Sequence, residues 1–154
     1  AGLLDEKEAW RRLVDRIAGA GERGGGRDLW QTSARFSDVQ RIYWGGTAFM
    51  LTADVALRER GNSLDQVVAA AQAAWLETAD RTWHGRDCFA ELDAALGEPF
   101  LLPLVEQHGR RRSLPPMDAL FARLGVVRTE EGIEFDEHAP LAHIRRAIMA
   151  GAAE

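Results

Sequence analysis

Tyr43 is the single tyrosine of the chain, and the residues around it have types that could do chemistry. Trp44, Gly45 and Gly46 follow it directly. Each glycine costs a helix about 1 kcal/mol relative to alanine, so the pair predicts that backbone or substrate passes close to this segment. A lone phenol beside paired glycines therefore indicates a functional site. The alternative is a buried tyrosine whose hydroxyl satisfies a neighbouring carbonyl group.

The histidines do not predict a metal centre in this chain. A zinc peptidase helix carries two histidines at positions i and i+4 with a glutamate between them, and no His-Glu-x-x-His run occurs. The four histidines are His84, His108, His138 and His143. His84 and Cys88 are four residues apart, but we interpret His84 as a loop or helix-cap residue and Cys88 as a small core residue. We therefore expect no metal ligands here.

The hydrophobic pattern predicts helices separated by glycine, proline and serine signals. Six of the predicted helices cover about residues 6–18, 37–60, 86–96, 99–107, 115–124 and 140–149, and a seventh opens at Ser63 and has Trp75 as the last residue of its buried side. Asp5 and Ser63 are predicted to cap helix starts, and Gly97 and Gly125 to end helices. The period changes after Gly125, where residues 126–135 predict a short β-hairpin with Gly132 in its turn. The glycine-rich residues 19–26 lack a P-loop ending and predict only a helix break.

Composition excludes several classes of protein. The chain has 154 residues, of which 46% are hydrophobic, which is enough for one core. A net charge of -5 opposes nucleic-acid binding, and no apolar run reaches the roughly 20 residues that span a bilayer. The single cysteine leaves a cytoplasmic or a periplasmic location open. Because the chain opens without an initiator methionine, we expect a fragment of a longer protein.

Four segments resemble, in order, the C-terminal part of the glycyl aminopeptidase family of gluzincin zinc metallopeptidases, in a branch without a PDZ domain. Residues 1–5 resemble the turn after the helix with the third zinc ligand, and the run at Tyr43 resembles a Tyr-x-Lys-Gly-Ala helix start. Residues 87–97, with the segment around Phe100, and residues 113–126 resemble two later helical motifs. The chain departs from the family at Gly45, Thr47 and Pro116, where the family has lysine, alanine and tyrosine.

The resemblance implies a mainly α fold, a multi-helix orthogonal bundle like the C-terminal subdomain of thermolysin-like gluzincins. Residues 1–125 would form the helical subdomain, with the hairpin and last helix of residues 126–154 packed on it. The resemblance gives Tyr43 the role of oxyanion donor, and we interpret Trp44, Gly45, Gly46 and Trp83 as lining the substrate cleft. Zinc would be bound by the longer protein, whose N-terminal metal-binding half would be the partner of this chain. The substrate would be a peptide, and the chain alone would be inactive and could self-associate.

Two other interpretations stay open at this point. The chain could be a non-catalytic helical interaction module, or a pseudo-peptidase that binds a peptide or protein without cutting it. It could also be an unrelated small helical protein in which Tyr43 and the glycines only pack helices.

Overall fold

The computed structural model describes residues 4–22, 36–77, 84–111 and 117–150. These residues form seven α-helices and one two-stranded antiparallel sheet, which confirms the predicted mainly α fold with a short hairpin. The helices are α1 (Glu6–Glu22), α2 (Phe36–Arg58), α3 (Leu64–Glu77), α4 (Gly85–Leu96), α5 (Leu101–Gly109), α6 (Asp118–Leu124) and α7 (Ala142–Ala150), and the strands are β1 (Val126–Thr129) and β2 (Gly132–Phe135). None of the helices in this part of the chain combines the length and the apolar character that crossing a membrane requires.

The chain divides into two compact units. Unit 1 comprises Ala1–Ala48 and Arg111–Glu154, and unit 2 comprises Phe49–Arg110. Helix α2 therefore contributes its first half to unit 1 and its second half to unit 2. The predicted division into residues 1–125 and 126–154 stays a prediction.

Unit 2 is built around apolar side chains from four helices. Its buried cluster contains Phe49, Ala53, Leu57, Val67, Ala71, Leu92, Leu101 and Val105. The ring of Phe49 meets the ring of Phe89 edge-on at 5.6 Å between centroids, a geometry that aromatic pairs favour. The second half of α2 thus supplies the centre of this core.

Side chains cap two helices of unit 2, α3 and α5, at their starts. Ser63 Oγ accepts a hydrogen bond from the Gln66 backbone N–H at 3.2 Å, which confirms the predicted cap of α3. The buried carboxylate of Asp93, on α4, accepts the backbone N–H groups of Leu101 and Leu102 at 2.6 and 3.0 Å. Asp93 therefore caps α5 from a neighbouring helix, and no local sequence signal predicts this cap.

Several predicted helix boundaries differ from the structure: α2 ends at Arg58 rather than at residue 60, α6 begins at Asp118 rather than at 115, and α7 begins at Ala142 rather than at 140. Two further boundaries are wrong for identifiable reasons. Helix α1 does not end at residue 18 but continues through Gly19 to Glu22, because Ala20 is buried and its packing outweighs the low helix propensity of glycine. Helix α5 begins at Leu101 rather than at Pro99, and Pro103 occupies its first turn, where a missing N–H leaves no helical hydrogen bond unmade.

Unit 1 places α1 against β2, and α6 against both β1 and α7. Asp5 accepts the Glu8 backbone N–H at 2.8 Å, so the predicted cap of α1 is confirmed. Gly125 ends α6 with φ +74°, as the sequence predicts. The hairpin pairs Thr129 with Gly132 across its turn, and Gly132 has φ +135°.

Arg145, on α7, is only 1% exposed and connects most elements of unit 1. Its Nε lies 3.3 Å from Glu6 of α1, and an Nη atom donates to Glu137. The other Nη donates to the carbonyl oxygens of Leu124 and Gly125 at 3.3 and 3.4 Å. Its guanidinium also lies 4.1 Å over the ring of Phe135. A planar cation with five donors can satisfy this many groups at once.

We expect Arg145→Met to lower the free energy of unfolding by about 2 kcal/mol, because it removes the donor for two buried carbonyl groups and two carboxylates. Water can rehydrate Glu6 and Glu137, whose side chains are 36% and 51% exposed, and this keeps the loss below that of a fully buried pair. Urea unfolding measures the change. Arg146→Met is the matched control, because Arg146 also approaches Glu137, at 3.5 Å, but is 60% exposed and should change stability by less than about 0.5 kcal/mol. Equal effects of the two substitutions would contradict this assignment.

Candidate functional site

Helix α2 holds Tyr43 at the surface of unit 1 with its side chain 65% exposed. The ring of Trp44 supports the phenol edge-on, with 5.2 Å between the ring centroids. Among the residues that the structure describes, nothing forms a hydrogen bond with the Tyr43 hydroxyl. The interpretation of Tyr43 as a buried, internally satisfied tyrosine is therefore wrong, and the phenol is available to an external acceptor.

Thr47, one turn further along α2, donates its hydroxyl to the Tyr43 backbone carbonyl at 2.9 Å. Such a bond from a residue to the carbonyl four positions earlier is common for threonine within helices. It adds a side-chain hydrogen bond to the helical turn that begins at Tyr43. The Thr47 hydroxyl therefore has a local structural role in α2.

The two glycines differ in their surroundings. Gly45 is buried, whereas Gly46 is exposed on the outer side of α2. A Cβ added at Gly46 would meet nothing within 4 Å outside the helix's own nearby backbone. At Gly46 no close approach of the described backbone is seen, so the prediction that backbone or substrate passes close to the glycine pair stays a prediction.

The structure brings Tyr43, Trp44, Gly45 and Gly46 together on successive positions of one helix. Trp83, the remaining predicted cleft residue, lies outside the described residues. The role of all five in a substrate cleft stays a prediction.

Sequence reasoning missed two neighbours of Tyr43. Val39 and Ile42 are 44% and 40% exposed on α2. With Tyr43 and Gly46 they follow the spacing 0, 3, 4 and 7, which places all four on one helical face. The spacing can be read from the sequence, but the apolar character of α2 predicted that these side chains would be buried rather than exposed.

The histidines occupy separate places. His84 is the N-cap residue of α4, as predicted, and His108 is buried in unit 2 with its ring 5.2 Å from that of Phe49. His138 and His143 are exposed, and Cys88 is partly buried. Within the described ranges, no three His, Cys, Asp or Glu side chains are grouped so that they could hold a metal ion. These residues of the chain do not fit a zinc site.

A cleft of about 380 Å³ lies in unit 1 between the start of α1 and the hairpin turn. Its lining includes Glu8 and Arg11, and Glu8 accepts hydrogen bonds from Arg11 Nε at 2.8 Å and Arg12 Nε at 2.6 Å. These bonds from Arg11 and then Arg12 lower the pKa of Glu8 to about 2, and the bond to Glu8 raises the pKa of Arg11. Because these charges pair with each other, we assign no ligand to the cleft.

We compared the chain with known proteins in three ways. No family model, no curated protein and no solved structure matches it. The surface of α2 around Tyr43 is therefore interpreted from its own geometry and from the motifs in the sequence.

Proposed function

We propose that this chain is the C-terminal helical subdomain of a zinc aminopeptidase or related metallopeptidase, in which it supplies the oxyanion-stabilising Tyr43 and part of the substrate cleft. The observation that carries the proposal is the exposed phenol of Tyr43, which has no hydrogen-bond partner within the described part of the chain. A buried structural tyrosine usually satisfies its hydroxyl internally, and Tyr43 does not follow that pattern.

The chemistry of peptide hydrolysis explains how an exposed phenol would act. When the carbonyl carbon is attacked, negative charge develops on its oxygen, and a positioned hydroxyl donates a stronger hydrogen bond to that oxygen in the transition state than in the substrate. Donors of this kind contribute about 3 kcal/mol in comparable sites. Trp44 limits the orientations of the ring, so less entropy is lost when the bond forms.

Zinc would be held by the longer protein that the resemblance implies, and there it would polarise the carbonyl group. The described residues of this chain offer no ligand set for it. The partner of the chain is accordingly the N-terminal metal-binding half, and the substrate is a peptide. Tyr43 contributes a hydrogen-bond donor, and this role does not require the phenol to contact the metal.

Assays of the longer protein against aminoacyl-p-nitroanilides test this function. We expect turnover that a zinc chelator abolishes and added zinc restores, and no turnover by residues 1–154 alone. The isolated segment serves as the matched control, because it contains Tyr43 without the metal-binding half. A longer protein that folds and binds zinc but cleaves no aminoacyl or peptide substrate would overturn the proposal.

A second function is favoured by the apolar surroundings of the phenol. Val39 and Ile42 lie exposed beside Tyr43, as in surfaces that bind a peptide or protein partner. In a non-catalytic interaction module the tyrosine ring would matter, and its hydroxyl would not. Binding of a peptide that survives Tyr43→Phe but is lost in Tyr43→Ala, without turnover by the longer protein, would select this alternative. The same surface would also explain self-association, which sedimentation of the isolated chain would detect.

A further inference from the structure

Helix α2 runs without interruption for 23 residues, but the division between the two units falls inside it, between Ala48 and Phe49. The three residues just before Ala48 are Gly45, Gly46 and Thr47. Sharp bends in helices have few causes, and pairs of small residues such as glycine and serine are among them. One turn of α2 thus combines a weakly helical sequence with the boundary between the units.

The second half of α2 is held in unit 2 by apolar and polar contacts. Phe49, Ala53 and Leu57 are buried and belong to the apolar cluster of that unit. The Asp54 carboxylate accepts a hydrogen bond from the Leu64 backbone N–H, at the start of α3, at 2.8 Å. This half of the helix therefore cannot open without disrupting a packed core, which makes opening costly.

The turn before this half is weakened by two independent features. An interior glycine shifts the equilibrium between a helical and an open turn about fivefold toward the open turn, relative to alanine. At Gly46 this weakness has no packing reason, because a Cβ there would meet no described atom within 4 Å outside the helix's own nearby backbone. The Thr47 hydroxyl donates to the Tyr43 carbonyl oxygen at 2.9 Å, and a threonine bonded in this way slightly destabilises a helix and often bends it.

We propose that residues 43–47 form a joint in α2, at which the helix opens and bends while its second half stays packed in unit 2. Folded proteins open locally in contiguous parts, and the parts with the weakest local support open first. Tyr43 and Trp44 then change direction without loss of the unit 2 core. The joint is a property of the helix itself and does not depend on the proposed function.

Amide hydrogen exchange of residues 1–154, measured residue by residue by NMR, tests the joint. A change of backbone dihedrals at Gly45 or Gly46 breaks the helical hydrogen bonds donated by residues 46–49, because each such bond spans the three preceding residues. Helices ordinarily fray at their ends, so protection from exchange is normally highest in the middle. We expect instead a minimum at residues 46–49, below residues 42–45 and about tenfold or more below residues 53–57.

Gly46→Ala should raise the protection of residues 46–49 about fivefold and leave residues 53–57 unchanged, because alanine favours the helix and its Cβ enters open space. Gly85→Ala is the matched control. Gly85 is also exposed and also has open space for a Cβ, but it is the first residue of α4 rather than an interior one, so residues 46–49 should keep their wild-type protection. A wild-type profile without a minimum at residues 46–49 would overturn the joint. So would a Gly46→Ala protein in which all amides gain protection equally, because α2 would then open only when the whole chain unfolds.

Discussion

Under the proposed function, Tyr43→Phe is expected to lower the kcat of the longer protein about 100- to 1,000-fold with little change in KM, as the loss of one oxyanion donor does in comparable enzymes. The substitution removes one hydroxyl and keeps the ring that packs edge-on against Trp44. Since the hydroxyl bonds to no residue in the described part of the chain, its removal should leave the free energy of unfolding within about 0.5 kcal/mol of the wild type. Steady-state kinetics on a slow and a fast substrate, with urea unfolding of the same preparation, give both quantities.

Tyr43→Ala separates the contribution of the aromatic ring from that of the hydroxyl. If only the hydroxyl matters for chemistry, alanine should lower kcat as much as phenylalanine does and should in addition raise KM through the lost ring contacts. A Tyr43→Phe protein that retains full kcat would contradict the oxyanion role, whatever alanine does. Trp44→Phe is a useful companion, because it leaves the phenol in place but alters the ring that orients it. We expect it to lower kcat by less than tenfold.

Gly125→Ala is expected to lower the free energy of unfolding by about 3 kcal/mol. Gly125 ends α6 with φ +74°, a conformation that costs an alanine about 1–2 kcal/mol. An added Cβ would also collide with the Asp136 carbonyl oxygen and lie 3.0 Å from the Ala139 Cβ. That carbonyl belongs to backbone rather than to a flexible side chain, so unit 1 must shift to make room. Urea unfolding monitored by circular dichroism measures the loss.

Gly97→Ala isolates the conformational part of this cost. Gly97 ends α4 with φ +84°, but a Cβ there would meet nothing within 4 Å. It should therefore cost only about 1–2 kcal/mol, and the difference between the two variants measures the collision at Gly125. Equal losses of unfolding free energy in the two variants would show that the backbone at Asp136 moves away from the added Cβ without an energetic cost.

Local signals made much of the fold predictable. Ser63, Gly97, Gly125 and Gly132 each act through their own backbone or the next turn, so the sequence nearby is sufficient to locate them. The extension of α1 was not predictable in this way, because it goes with the burial of Ala20, which the local sequence does not determine. Asp93 is a similar case, since its carboxylate acts on a different helix.

The residues of the candidate site could be predicted from the sequence, but their burial and their neighbours could not. The sequence singled out Tyr43 and its glycines because a lone phenol beside two glycines in a helix is unusual. It left open whether Tyr43 is buried, and it left open whether backbone or substrate passes close to the glycines, of which Gly46 has open space around it. Burial is decided by which helices pack on which faces, and periodicity alone does not determine this for a helix that is apolar on most sides. The burial of Arg145 could not be predicted either, since no local pattern indicates that a charged residue is 1% exposed.

The interrupted sequence of unit 1 has a consequence for synthesis on the ribosome. Its first segment, Ala1–Ala48, emerges before the 62 residues of Phe49–Arg110, whereas its second segment, Arg111–Glu154, emerges only afterwards. Unit 2 is continuous in sequence, whereas the contact of α1 with Arg145 joins residues 139 positions apart and forms only after the last segment has been synthesised. The buried face of α1, including Trp10 and Ile17, is exposed during that interval, and it is where we expect a nascent-chain chaperone to bind.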